Sequence, residues 1–201
     1  MTNAKSILAV ALAGQLGVLQ GHLDKFRDRI EKLFADPPDH DLFGSLPGAG
    51  EKLAPRLLGE LGDNRERFDS PEALQCHTGT APVSYQSGKF EKVRFRRACH
   101  KVLRHTVHLW ADLSRHKCPW ASAYYHKKRE EGQSHACALR CLGQRWLKIL
   151  WKMWQTHERY DPELHQRNQL KHGSWVIGRL STQNAQCTVA EMQEATVQNT
   201  L

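Results

Sequence analysis

Residues 135–156 read HACALRCLGQRWLKILWKMWQT. Ala138, Cys141, Leu142, Trp146, Ile149, Leu150 and Met153 recur at steps of three and four, the apolar stripe of an amphipathic helix that packs on a core. Ser134 stands just ahead, where a hydroxyl caps the free N–H groups of a first turn. Arg140, Arg145, Lys148 and Lys152 fall on the other side and read as a solvated face. No convincing run of period-2 alternation occurs anywhere, so the chain reads as mainly α.

Working back from this stretch, residues 97–116 form a second strong helix. Cys99, Val102, Leu103, Thr106, Trp110 and Leu113 share one side of it. Pro119 interrupts, and residues 120–131 form a shorter helix that stops at Gly132. Ser70-Pro71-Glu72 reads as N-cap, first-turn proline and first-turn acid of a helix ending near Gly79. Residues 80–89 read as loop, with a brief extended segment at 93–95. Leu53, Ala54, Leu57, Leu58 and Leu61 line one face of a helix capped by Gly62, with Pro55 awkward inside it.

At the N-terminus, Leu12, Leu16, Leu19, Leu23, Phe26, Ile30 and Leu33 keep a heptad-like spacing, which predicts one coiled-coil-like helix over about 6–34. A short signal peptide ending at Ala13 is the competing reading, but the periodicity runs straight through that point. No uninterrupted run of 18 apolar residues occurs, which predicts no transmembrane helix and no membrane partner. Three parts result: the coiled-coil-like helix over 1–36, a helical domain over 42–160, and a basic-then-polar tail over 161–201. After residue 181 the tail lacks Lys and Arg and reads as disordered.

Composition narrows the function. The 201 residues hold 29 Lys and Arg against 21 Asp and Glu, a formal charge of +8. That balance favours a polyanionic partner. The six cysteines form no secreted framework and read as reduced thiols in a cytoplasmic protein.

Four clusters are candidates for chemistry. Leu46-Pro47-Gly48-Ala49-Gly50 ahead of a helix has the layout of a helix-hairpin-helix element, in which Gly48, Gly50 and Lys52 approach a phosphate. A plain turn between packed helices fits the pattern equally. Lys89, Lys92, Arg94, Arg96, Arg97, Lys101 and Arg104 face only Glu91 within their stretch, an imbalance that points to phosphate neutralisation. Ser84 and Ser87 lie in the loop at the mouth of this patch; a serine needs a base or metal to act as nucleophile, and none adjoins in sequence. Cys137 and Cys141, with His116, Cys118, His126 and His135 nearby, lack the paired-cysteine spacing of a zinc site, so no metal site is assigned.

Four segments in this order resemble a known family: LFGSLPGAGEKLAPRLLGELGD (42–63), FDSPEALQCHTGTAPVSYQSGK (68–89), VRFRRACHKVLRHTVHLWADLSR (93–115) and HACALRCLGQRWLKILWKMWQT (135–156). Together they are similar to the C-terminal half of the IS-one-ten family of insertion-sequence transposases, the bridge-RNA-guided recombinases. The resemblance implies DNA transposition and recombination. It assigns Ser87, the serine of the SG pair, as the nucleophile that forms a covalent phosphoserine with DNA, with Ser84 as a less favoured substitute. It implies nucleic-acid contacts at Gly48, Gly50, Lys52, Lys89, Arg94, Arg96, Arg97, Lys101 and Arg104. Its partners are DNA, a structured guide RNA, and a second copy or an intact transposase.

In that family an N-terminal RuvC-like domain holds Mg²⁺ on four acidic residues. Residues 1–41 contain no such quartet, so the resemblance leaves no cofactor in this chain. It implies a protein unable to cleave DNA alone: a truncated transposase, a partner acting in trans, or part of a split gene. The alternative is a nucleic-acid-binding and dimerisation module without chemistry.

Overall fold

The computed structural model describes residues 2–36, 38–175 and 178. The expected disorder after residue 181 lies outside the described residues. Eight helices and one two-stranded sheet appear among them: α1 (Thr2–Ala35), α2 (His40–Gly44), α3 (Gly50–Leu61), α4 (Pro71–Thr78), β1 (Val83–Ser87), β2 (Phe90–Arg94), α5 (Lys101–Lys117), α6 (Pro119–Glu130), α7 (His135–Thr156) and α8 (Pro162–Lys171).

The body is a helical core in which α5 and α7 are central. Leu103, Val107, Trp110, Leu142, Trp146, Leu147, Leu150 and Trp154 are almost fully buried. A Cβ on Gly143 would lie 3.0 Å from Val107 Cγ1, so the glycine lets α7 approach α5. Each buried indole finds an acceptor. Trp110 donates to Pro47 O (3.0 Å), Trp146 to Ser114 Oγ (2.7 Å), Trp120 to Tyr160 Oη (2.9 Å) and Trp154 to Asp39 Oδ2 (3.2 Å). Asp39 also takes both bonds from Arg65 Nη2 (2.6 and 2.8 Å), while Arg65 Nε donates to Trp154 O (2.7 Å). A buried carboxylate is tolerable because every bond it needs is present.

Local rules explain most boundaries. Ser70 Oγ accepts from Ala73 N and Ser134 Oγ from Cys137 N, the caps expected at α4 and α7. Gly62 and Gly79 end α3 and α4 with positive φ.

Three expectations need correction. Residues 80–89 are not all loop: 83–87 and 90–94 pair as an antiparallel hairpin. Alternating hydrophobicity failed as a signal because neither face of the hairpin is buried. The helix expected from Arg97 starts at Lys101, because His100 caps it: its Nδ1 accepts from Leu103 N; the helix's buried side is Leu103, Thr106, Val107, Trp110, Ala111 and Ser114, which leaves the expected Val102 and Leu113 exposed. The absence of a membrane-length apolar helix also fails. α1 is long and apolar enough to span a bilayer by length and composition, as signal sequences and core helices also are. Gln15 and Gln20 break the apolar run without lowering its mean hydropathy enough to exclude this.

α1 itself projects from the body. Its apolar residues, from Ile7 to Leu33, are at least half exposed, and only its last turn reaches the core, through Phe34 against His40.

Candidate nucleic-acid interface

The hairpin carries the central feature. Ser87 pairs with Phe90, and Gly88-Lys89 is the two-residue turn between them. Gly88 has φ +57, while Lys89 is not among the residues with positive φ. That combination is the sign pattern of a type II′ turn, which takes glycine first and suits the twist of a tight hairpin.

Register then sorts the side chains, because paired residues and residues two apart share a face. One face carries Tyr85 and Ser87 from β1 with Phe90, Lys92 and Arg94 from β2. The other carries Ser84 and Gln86 with Glu91 and Val93. Both serines were candidates in the sequence. Ser87 shares its face with two cations and two aromatic rings, whereas Ser84 shares its own with the patch's one carboxylate. Arg94 lies 5.2 Å from the Tyr85 ring centroid, consistent with a common face.

The blades are exposed but the hairpin base is anchored. Gln144 Nε2 donates to Thr80 O (2.6 Å), and Gln75 Nε2 to Gln144 O (2.8 Å), tying the entry to α4 and α7. Arg96 Nε donates to Ala81 O (3.3 Å), and His100 N to His77 O (2.8 Å), tying the exit. A Cβ on Gly79 would fall 2.6 Å from Cys99 Sγ, so only glycine fits this crossing.

Below the blades, Phe95 lies between two guanidiniums. Arg104 is 4.9 Å from its centroid and Arg140 is 4.8 Å. Two cavities flank this ring. One, of about 430 Å³, includes Arg94, Arg96, Lys128 and Arg140 in its lining. The other, of about 250 Å³, includes Lys101, Arg104, His108 and Arg140. Neither lining contains a carboxylate. Burial, with His135, Arg140 and His105 adding to it against Asp112, lowers the pKa of His108. The wall there favours anions without needing that imidazole charged.

The structure thus brings Lys92, Arg94, Arg96, Lys101 and Arg104 around the hairpin and its base, with Lys89 at the tip and Arg97 exposed on the connector. It adds Arg140 and Lys128, which sequence reasoning missed. Both lie more than thirty residues along the chain from Phe95, and Arg140 read as part of a solvated helix face. No local pattern could have joined them. On the same face of α7, Lys148 is occupied elsewhere, 2.8 Å from Glu72, and its hydrogen bond is the main cause of that carboxyl's lowered pKa.

Gly48, Gly50 and Lys52 do not join this site. A Cβ on Gly48 would lie 2.6 Å from Ser114 N and 2.8 Å from the Leu113 carbonyl carbon, so this glycine is needed for close packing on α5. Leu113 is twelve residues from Lys101 on that helix, about 18 Å at 1.5 Å per residue. Lys52 instead lines a cavity between α1 and α3. Gly50 has φ +55 at the start of α3, in open space.

Ser87 has no side-chain hydrogen-bond partner among the described residues, and neither has Ser84. No group of three or more His, Cys, Asp or Glu converges there as a metal site. The described residues therefore do not fit Mg²⁺ beside Ser87. Burial, then the neighbouring Cys137, raises the pKa of Cys141.

Residues 40–126 match the model of the transposase IS116/IS110/IS902 family. A protein of Streptomyces coelicolor named as a mini-circle transposase for IS117 is 34% identical over 154 residues, 77% of this chain and 37% of that protein. The 42 kDa protein of insertion element IS900 from Mycobacterium paratuberculosis is 31% identical over 153 residues, 75% and 38% of the two chains. The 43.6 kDa protein of IS110 from Streptomyces coelicolor is 24% identical over 164 residues, 81% and 40%. The chain thus spans about two-fifths of the length of the curated relatives it matches.

Proposed function

We propose, from the match of residues 40–126 to the transposase IS116/IS110/IS902 family and the similarity to its relatives, that this chain binds DNA during insertion-sequence transposition and presents Ser87 as the nucleophile. The observation that carries the assignment is the hairpin register, which sets Ser87 beside Lys92, Arg94 and Phe90 and sets Ser84 beside Glu91. In the reaction, Ser87 Oγ bonds to a backbone phosphorus as the bond from that phosphorus to a sugar oxygen breaks. The serine proton passes to a base, and the departing sugar oxygen takes up a proton. Lys89, Lys92, Arg94, Arg96, Arg97, Lys101 and Arg104 hold the flanking phosphates, and Arg104 and Arg140 carry charge to the walls of the cavities beside Phe95.

Serine attack needs activation that the hairpin does not supply. The proposal therefore includes Mg²⁺ held by residues outside those described, in a complete transposase working with this chain. It also includes a structured guide RNA, pairing of α1 with a second copy, and a cytoplasmic location beside the chromosome. Gly48, Gly50 and Lys52 would make a separate phosphate contact, as the turn of a helix-hairpin-helix element.

The test mixes the chain with an intact family member, guide RNA, Mg²⁺ and target DNA, and counts covalent protein–DNA adducts on denaturing gels. Ser87→Ala removes the adducts on this chain and leaves binding unchanged, while Ser84→Ala leaves both unchanged. Adducts that survive Ser87→Ala refute the assignment. A second reading, binding and dimerisation without chemistry, is favoured by the unpartnered hydroxyl of Ser87 and the exposed stripe of α1. It expects no adduct on the wild-type chain under any of these conditions.

A further inference from the structure

The reactive face of the hairpin holds more than charge. Phe90 is 60% exposed and stands directly across the ladder from Ser87. Tyr85 is 52% exposed, one step along the same face. Cross-strand neighbours keep their Cβ atoms within about 5.5 Å, so the Phe90 ring and the Ser87 hydroxyl lie side by side at the tip. The Phe90 ring meets no other ring or cation among the described residues, whereas Tyr85 is backed by Arg94. Lys92 stands across from Tyr85 and next to Phe90 along β2, Arg94 stands one step further on that face, and Glu91 belongs to the opposite one.

An exposed phenyl ring at the tip of a two-stranded hairpin costs hydration, and among the described residues no ring or cation covers it. Rings and cations on one face are what an unpaired strand needs: a π-surface for a base and a positive charge for a phosphate. A duplex hides its base faces in the stack and gives such rings nothing to cover.

We infer that Phe90 and Tyr85 form a stacking site for unpaired bases of the DNA strand attacked at Ser87, with Phe90 holding the base next to the scissile phosphate. The identity of the strand as DNA rests on the reading of Ser87 as nucleophile. The stacking does not, since Ser87→Ala keeps it, so the two can fail separately.

The test uses the full chain and four labelled probes of equal length: twelve-residue oligothymidylate, the same strand with abasic residues at its centre, twelve-residue oligouridylate, and a blunt duplex. Fluorescence anisotropy gives the affinities. The thymidylate strand binds more tightly than the other three. Phe90→Ala weakens it by about 5- to 160-fold, the range for losing one stacked base, and leaves the abasic strand unchanged; Phe90→Tyr retains tight binding. A 2-aminopurine placed at the centre of the thymidylate strand is quenched by the wild type and not by Phe90→Ala. An unchanged melting temperature shows that Phe90→Ala leaves the helical body intact.

Equal affinity for the thymidylate and abasic strands overturns the proposal, as does equal affinity for the duplex. Tighter binding of the uridylate strand overturns the assignment to DNA. A Phe90→Ala variant that loses self-association but keeps its affinity for the thymidylate strand shows that the ring belongs to a protein interface, and also overturns it.

Discussion

Helices α1 and α7 carry the same apolar period and end in opposite surroundings. In α7, Leu142, Trp146, Leu147, Leu150 and Trp154 are essentially buried against α4, α5 and α6. In α1, Leu12, Leu16, Leu19, Leu23, Phe26, Ile30 and Leu33 are all at least half exposed. A three-four spacing defines a face and says nothing about its occupant. The difference lies in what the faces are made of. The α7 stripe contains tryptophans whose N–H groups reach distant acceptors, such as Ser114 and Asp39. The α1 stripe is largely aliphatic, is interrupted by Gly14, Gly17 and Gly21, and among the described residues packs on the buried core only through Phe34.

The comparison can be broken, starting with its largest effect. Trp146→Ala should remove about 3–5 kcal/mol of unfolding free energy in a denaturant titration, because it opens a cavity beside three other rings and leaves the buried Ser114 Oγ without its donor. A loss below about 1 kcal/mol would mean that the α7 stripe is not the core.

Asp39→Ala comes next, at about 3 kcal/mol by the same titration, since Arg65 and the Trp154 indole lose their acceptor together. Arg65→Met in the same background should recover part of that loss. No recovery would show that the cost is not an uncompensated charge.

A smaller effect is a pH dependence confined to the body. Burial, first among the causes, lowers the pKa of His77, His108 and His165. The unfolded chain then binds protons below about pH 6.5 that the native state refuses. Stability is full above that pH and falls as the solution is acidified through the lowered values. The melting temperature of the body should drop between pH 7 and pH 5, less so in His108→Phe, while the helicity of α1 stays level. A melting temperature that rises on acidification reverses the sign and refutes the account.

The smallest effect belongs to α1. Leu23→Ala should change body stability by no more than about 0.5 kcal/mol. Leu16→Asp with Leu23→Asp should leave the body's melting temperature alone, and sedimentation should show no pairing through α1 in this variant. If the double variant destabilises the body like Trp146→Ala, the stripe is covered within the chain and the contrast with α7 disappears.

Much of the fold was legible because it depends on neighbours in sequence. Ser70, Ser134 and Gly62 marked helix ends through hydrogen bonds and φ values set within four residues. The stripes of α3 and α7 were readable, and Leu139, Leu147 and Trp154 extended the latter; the side expected for α5 was only partly right, since Val102 and Leu113 are exposed while Val107, Ala111 and Ser114 are buried. The hairpin was not legible: β1 and β2 expose both faces, so no burial wrote an alternating pattern into 83–94. The basic stretch 89–104 stood out by composition. Its completion by Arg140 and Lys128 did not, and neither did the separation of Gly48, Gly50 and Lys52 from it.

Helix type, caps, charge and the identity of the candidate serine's neighbours followed from the sequence alone, because these are short-range matters of dihedral angle, hydrogen bond and composition. Which serine shares a face with the cations, which arginines reach Phe95, and which apolar stripe becomes core were decided only when the chain closed. Those outcomes depend on register and on contacts between residues tens of positions apart. One step of register or one turn of helix reverses them without changing a residue.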